Sequence, residues 1–336
     1  MNKKAIVMLS GGLDSTLAAR MMLDQGIDLV ALNFVSIFCT CTSHGRKKSG
    51  CASEAVRVGK ELGIPVKTIP KGMDYFRVVE NPRYGYGKGM NPCIDCRIYM
   101  LSKAKDLMPK IEASFIITGE VLGQRPMSQH LHQMKTVEKN SALEGLILRP
   151  LSAALLPETI PEKLGVVDRK ALLNIHGRSR KKQIAIAGEM GINDYSCASG
   201  GCLLTDKIFA RRVKDLFNYK KNYTLTDLKM LKIGRHFRID ERTKFIIGRN
   251  EEENNQLEFN ADGNPLLKPV DIPGPVGLVS GHFSEDKQML LASIIFRYSD
   301  VSDGTAMMLQ FKHGTEIEDF CLVGKKERGA FEKMII

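Results

Sequence analysis

Short, unbroken apolar runs mark the first part of the chain. Ala5-Ile6-Val7-Met8-Leu9, Leu29-Val30-Ala31-Leu32-Asn33-Phe34-Val35 and Phe115-Ile116-Ile117 hold almost no polar residue. Runs of that length without polar alternation fit strands buried on both faces. Pro65-Val66-Lys67-Thr68-Ile69 reads as a further strand. Between the runs lie stretches with helical spacing: one from Thr16 to Gln25-Gly26, one over Ala52–Leu62 closed by Gly63, and one from Cys96 to Met108. Strands separated by helices predict an α/β fold with a doubly wound parallel sheet. Ligands in such sheets sit at the carboxyl ends of the strands. Ser10–Ser15, Asn33–Phe34 and Thr118–Glu120 all fall at such ends, so one cleft would hold all three.

The pattern changes after Pro150. A proline-rich loop leads to helices expected over Arg169–Asn174 and Arg178–Met190, packed beside the cleft as a helical extension. These boundaries give a first domain over 1–205, its extension running from about 151 to 205, and a smaller α+β domain over 206–336. In the second domain Lys244–Gly248 and Met289–Arg297 read as strands, and Ala261-Asp262-Gly263-Asn264 as a turn.

Composition narrows the classes. At 336 residues the chain exceeds one typical core, and 43% apolar residues suit a globular protein. No charged-then-apolar leader and no membrane-length apolar run is present, so a cytoplasmic protein without a membrane partner is expected. Its eight cysteines then suit metal, cluster or sulfur chemistry better than structural disulfides. The net charge of +11 favours a polyanionic partner. The excess is concentrated: Lys207 to Arg249 holds 13 Lys/Arg against four acidic residues, a local +9, which points to a nucleic-acid surface.

The chemistry begins at Ser10-Gly11-Gly12-Leu13-Asp14-Ser15, between the first strand and the first helix. Paired glycines allow a tight turn, and the new helix offers unpaired N–H groups and its positive dipole end to a phosphate. The spacing is not that of a Walker A loop. Asn91-Pro92-Cys93-Ile94-Asp95-Cys96 opens a later helix, where thiolate is favoured and both thiol pKa values are expected to fall. The pair suits a metal, a cluster or a redox couple. Gly200-Gly201-Cys202 offers a third thiol, with Cys197 competing for the role. Three cysteines on a [4Fe–4S] cluster would leave one iron open, while zinc suits the same thiols. Cys39, Cys41, His44 and Cys51 have ligand types suited to zinc in no standard spacing. Cys321 reads as core, His130 and His132 as exposed loop residues, and Lys181-Lys182 as phosphate contacts or a solvated face.

The Ser-Gly-Gly-x-Asp-Ser turn resembles the PP-loop of the N-type ATP pyrophosphatases, whose fold is the adenine nucleotide α-hydrolase-like sheet. With the Pro-Cys-x-x-Cys segment, Thr118-Gly119-Glu120 and a later cysteine, the chain resembles the tRNA-thiolating 2-thiouridine and 4-thiouridine synthetases. A 4-thiouridine-synthetase-like group is similar also in Thr118–Gln129, His176-Gly177-Arg178-Ser179-Arg180 and Gly200–Asp206, so this resemblance covers residues 1 to about 215. Gly234-Arg235-His236-Phe237-Arg238 and Ile247–Glu251 resemble the RNA-binding module of fibronectin-binding-like ribosome-quality-control proteins. Neither the N-terminal RNA-binding domain nor the rhodanese domain of the better-known 4-thiouridine synthetases is recognisable, which favours cluster-bound sulfide over a persulfide on a rhodanese.

The resemblance implies an ATP-dependent tRNA sulfurtransferase that forms AMP and pyrophosphate. ATP would adenylate a uridine carbonyl oxygen, and sulfide held on a [4Fe–4S] cluster by Cys93, Cys96 and Cys202 would attack. Ser10, Gly11, Gly12, Asp14 and Ser15 would hold the pyrophosphate with Mg²⁺, and Asn33 and Phe34 would lie against adenine or ribose. Gly119 would admit the nucleotide, and Glu120 would meet Mg²⁺ or steer Arg125. Arg178, Arg180, Arg235, Arg238 and Arg249 would contact tRNA. A sulfide or persulfide donor is implied, a cysteine desulfurase being one source, and a homodimer is left open. Two alternatives stand beside this reading: an amide-forming PP-loop ligase using ammonia, and a nucleotide-gated RNA-binding protein without turnover.

Overall fold

The computed structural model describes residues 1–40, 51–195, 201–326 and 331–336. The chain divides into two compact units, Met1–Asp206 and Lys207–Ile336. Among the described residues, no helix is long and apolar enough to cross a membrane.

The first unit runs β1 (Lys4–Met8), α1 (Leu13–Asp24), β2 (Asp28–Val35), α2 (Cys51–Leu62), β3 (Val66–Pro70), α3 (Met73–Glu80), α4 (Cys93–Leu107), β4 (Phe115–Thr118), α5 (Leu131–Asn140), β5 (Ile147–Leu148), α6 (Ile160–Lys163) and α7 (Lys181–Glu189). The strands form one parallel sheet in the order β3-β2-β1-β4-β5. This is the α/β architecture the apolar runs predict. The absence of polar alternation in β1 follows from its place at the centre. Ala5 and Val7 enter the core on the face covered by α1, α2 and α7, while Ile6 enters the opposite core with Leu101 of α4 and Val137 of α5. In β1, Met8 lies opposite Leu32 on one side and Thr118 on the other. The strand order reverses direction across β1, and its carboxyl end is therefore the crevice where a ligand fits.

The 163–191 region is less helical than its sequence suggests. Of the helix expected over Arg169–Asn174, Arg169–Ala171 forms a single 3₁₀ turn, capped by the Asp168 carboxylate accepting from the Lys170 N–H, before Leu172 becomes extended. Ala187 of α7 is buried in the same core as α1.

The second unit runs α8 (Lys207–Tyr219), α9 (Leu225–Met230), β6 (Arg235–Arg238), β7 (Thr243–Ile247), α10 (Glu251–Phe259), β8 (Leu266–Pro269), β9 (Gly277–Gly281), α11 (Gln288–Tyr298), β10 (Ala306–His313) and β11 (Glu316–Val323). Its strands form an antiparallel sheet in the order β11-β10-β8-β9-β7-β6. Two sequence expectations are corrected here. Met289–Arg297 is helical, because its continuous apolar run is the buried face of α11, with Leu291, Ile295 and Phe296 packed on Phe237, Phe245 and Leu309. A continuous apolar run cannot by itself separate a buried helix from a strand. Cys321 is exposed and not core. It lies on edge strand β11, where Leu322 takes the inward position and Cys321 the outward one.

Candidate functional site

The loop between β1 and α1 is closed by its own serines. The Ser15 hydroxyl donates to the Gly12 carbonyl at 2.9 Å and accepts from the Ser10 N–H at 3.2 Å, and the two serine hydroxyls lie 3.1 Å apart. Gly11 has φ +76°, and a Cβ there would sit 2.7 Å from the Cβ of Glu54 in α2. Gly119 packs directly against this loop. The space of its missing Cβ is filled by the Asp14–Ser15 backbone, 2.5 Å from the position a Cβ would take, so Gly119 admits the loop itself.

Asp14, in the first turn of α1, is held from one side. Its Oδ2 accepts from the Gln124 amide at 3.1 Å and lies 3.7 Å from the Arg180 guanidinium, while its Oδ1 is buried with no hydrogen-bond partner among the described residues. Arg180 Nε and Asn33 Oδ1 are buried and unpartnered in the same sense. The Asn33 amide donates to the Leu9 carbonyl at 2.8 Å, which ties β2 to the start of the loop. Phe34 is half-buried and packs on the core face under α4. Unpartnered buried polar atoms are costly, and these stand at a phosphate-type loop. The residues fit a nucleotide phosphate with its cation.

Glu120, beyond the end of β4, is only 5% exposed. Its two oxygens pair with Arg97 of α4 at 3.3 Å and with the buried Arg149 at 3.0 Å. Burial pushes its carboxyl up, but the two guanidiniums outweigh that and hold it below the usual range. Arg149 also donates to Glu138 of α5. Glu120 is thus already committed to two arginines, neither of them Arg125. Burial lowers the Arg125 pKa, helped by Arg97, while Cys93, Asp14 and Glu120 act the other way.

Cys93 and Cys96 occupy the first turn of α4 behind Pro92. The expectation that the helix start lowers both thiols is corrected. Burial pushes Cys93 up, with the neighbouring Cys96 adding to it. Cys96 is lowered against its own burial by Lys71, whose ammonium donates to its sulfur at 3.0 Å, and by the Tyr75 hydroxyl at 3.4 Å. Burial pushes Cys202 up to about 12. Lys71 and Tyr75 escape the sequence reading, although Lys71 sits just past the carboxyl end of β3, where a strand-end rule looks first. Cys39 also joins the group, as the direct partner of Cys202 in an antiparallel bridge. The donor set suits a cluster or zinc chemically, yet among the described residues no three His, Cys, Asp or Glu side chains stand as a ready metal cage. Cys41, His44 and Cys197, and the side chain of Cys51, lie outside the described residues.

The arginines expected to contact RNA separate into distinct settings. Arg178 is exposed, whereas Arg180 reaches Asp14. In the second unit, Arg238 grips the buried Asp215 through two bonds of 2.8 and 2.6 Å, with Lys244 3.0 Å from the same carboxylate. Arg249 is paired with Glu253, and Arg235 lies over the Tyr298 ring at 4.8 Å. Lys207, Arg211 and Lys214 are exposed at helical spacing along α8, opposite its buried Phe209, Val213 and Phe217. Periodicity alone would have found this stripe.

Fold and loop together define an α/β unit of the PP-loop class. Residues 1–158 match the family model for thiamine biosynthesis protein (ThiI), and residues 234–327 match the model for the NFACT protein RNA binding domain. The first unit thus carries a ThiI-type domain over 1–158, and the second an NFACT-type RNA-binding domain over 234–327. The chain is similar to the tRNA-specific 2-thiouridylase MnmA of Clostridium perfringens, with 26% identity over 212 residues, 58% of this chain and 58% of that protein. It is also similar to the probable tRNA sulfurtransferase of Ureaplasma parvum, with 30% identity over 155 residues, 45% of this chain and 37% of that protein. The chain thus spans little more than half the length of the first of these relatives and about a third of the second. Among solved structures, it is similar to the U34-tRNA thiolase NcsA from Methanococcus maripaludis with its [4Fe-4S] cluster, at 18% identity and a TM-score of 0.33, covering 68% of this chain and 70% of that one.

Proposed function

We propose that this protein uses ATP to replace a carbonyl oxygen of a tRNA uridine with sulfur. The observation that carries the reading is how the loop and the thiol helix meet at the end of β4: Gly119 packs on the Asp14–Ser15 backbone, and its neighbour Glu120 pairs at 3.3 Å with Arg97, the residue after Cys96 in α4. Nucleotide and sulfur chemistry therefore belong to one site at the carboxyl end of the sheet.

A uridine carbonyl oxygen is a poor leaving group. Attack of that oxygen on the α-phosphorus of ATP expels pyrophosphate and leaves the oxygen as part of an adenylate. The loop from Ser10 to Ser15 takes the pyrophosphate, with the positive end of α1 facing its charge. The unpartnered Asp14 Oδ1 is the group that would meet Mg²⁺. Arg97 and Arg125 offset the negative charge that builds on the phosphates, and Glu120 with Arg149 fixes Arg97 in place. Sulfur then attacks the activated carbon and AMP departs with the original oxygen. Cys93, Cys96 and Cys202 would hold a [4Fe–4S] cluster, which when bound supplies sulfide. Lys71 and Tyr75 stabilise negative charge on the Cys96 sulfur. The basic α8 stripe and the NFACT-type domain would hold the tRNA backbone.

The test is tRNA-dependent pyrophosphate release by the purified protein and by Asp14→Ala. The reading expects release from the wild type and loss in the variant with unchanged circular dichroism. Formation of ADP and phosphate, or an Asp14→Ala variant of full activity, contradicts it.

A further inference from the structure

Cys39 ends the segment that follows β2, and Cys202 lies far away in sequence, yet the two face each other in an antiparallel bridge. Two bonds flank the pair. The Leu203 N–H donates to the Phe38 carbonyl at 2.8 Å, and the Thr40 N–H donates to the Gly201 carbonyl at 3.1 Å. The Thr40 hydroxyl adds a third link to Gly201 at 2.8 Å. Neither cysteine exchanges backbone bonds with the other, so they form a non-hydrogen-bonded pair. That register brings Cα atoms to about 4.5 Å and places both side chains on one face of the ladder. Disulfides need Cα separations of roughly 4.4–6.8 Å. Both residues are partly buried thiols in this structure, and the flanking bonds hold the register without help from a covalent link.

We infer that Cys39 and Cys202 form a redox modification site, closing reversibly into a cross-strand disulfide when the protein meets a low-molecular-weight disulfide such as oxidised glutathione. The Cys39 thiolate attacks one sulfur of the small disulfide, forming a mixed disulfide and releasing one thiolate. The Cys202 thiol, held opposite by the ladder, then gives up its proton and attacks the Cys39 sulfur, releasing the second. The two cysteines together give up two electrons and two protons, and the oxidant leaves as two thiols. Closure removes Cys202 from the sulfurs available beside Cys96. The consequence for iron rests on the proposed role of Cys202, whereas the disulfide itself does not.

Purified, metal-free full-length protein is incubated with oxidised glutathione, alkylated, digested and mapped by mass spectrometry. The expected result is a linked peptide joining Cys39 to Cys202, reversed by dithiothreitol. It is lost in Cys39→Ser and in Cys202→Ser and retained in Cys93→Ser. Oxidised wild type should take up no iron on anaerobic reconstitution, while Cys39→Ser given the same oxidant should take it up. Linkage of Cys202 to Cys96 or Cys41 with Cys39 left alkylated would overturn the inference, as would no disulfide at all in excess oxidant. If the reduced wild type takes up no iron while the Cys39–Cys202 peptide still forms, the cluster reading fails and the redox site stands.

Discussion

Gly119→Ala is a small change with a large expected effect on turnover. The added Cβ would lie 2.5 Å from the Asp14 carbonyl carbon and 2.5 Å from the Ser15 nitrogen. Comfortable carbon contacts begin near 3.5 Å, so the loop backbone must retreat by about 1 Å. Overpacking of this kind costs about 1–3 kcal/mol. For a unit of this size each kcal/mol lowers Tm by about 2–4 °C. The protein therefore stays folded at assay temperature. The catalytic cost is larger, because a 1 Å misplacement of positioning groups lowers rate by about 10²-fold. Gly188→Ala is the control. Gly188 lies in α7 with nothing within 4 Å of a new Cβ, so alanine should stabilise by about 0.5–1 kcal/mol and leave turnover alone. Calorimetry and a coupled pyrophosphate assay read both quantities. A folded Gly119→Ala protein with wild-type rate and KM would show that the loop position does not govern the chemistry.

Arg149→Leu strands Glu120 with Arg97 alone and should cost about 3–5 kcal/mol in urea unfolding. The acid side of the stability profile carries the same interaction. The folded Glu120 carboxyl titrates below its ordinary 4.5, so its ion pairs contribute fully above that value, and the contribution fades as pH falls through the lower folded one. Glu120→Gln should flatten the loss below about pH 5. Lys71→Met removes the ammonium beside Cys96, and the alkylation profile of that thiol in metal-free protein should move to higher pH. Exchanging Lys207, Arg211 and Lys214 for glutamine should weaken tRNA binding and flatten the log–log salt slope by about 0.9 for each phosphate no longer neutralised, measured by filter binding. Arg238→Met should instead appear as about 1.5–3 kcal/mol of lost stability in urea unfolding, because Asp215 loses its bidentate partner.

What can be read from sequence and what cannot have separate physical origins. The buried strands announce themselves because a central parallel strand must be apolar on both faces, as Ala5, Ile6 and Val7 are. The PP-loop is legible because strand, turn and helix are contiguous. Lys71, Arg97 and Arg149 are not legible, because each is defined by a partner reached through space. Cys39 gains its place from a bridge between segments distant in the chain. α11 reads as a strand because its run lacks the polar face that would betray its period. The pKa expectation for Cys93 fails because a helix start is a weak force beside burial. Arg238 and Arg249 look in sequence like any exposed cation, and only the fold reveals Asp215 and Glu253 against them.

The most direct test follows three products in one anaerobic reaction. Iron-reconstituted protein is given unmodified tRNA, α-labelled ATP and sulfide, and the tRNA is digested to nucleosides for mass spectrometry. AMP, pyrophosphate and a thiouridine are expected in equal amounts, all three absent without tRNA or with Asp14→Ala. Pyrophosphate release accompanied by an amino-substituted nucleoside, or AMP without any sulfur in the tRNA, would contradict it.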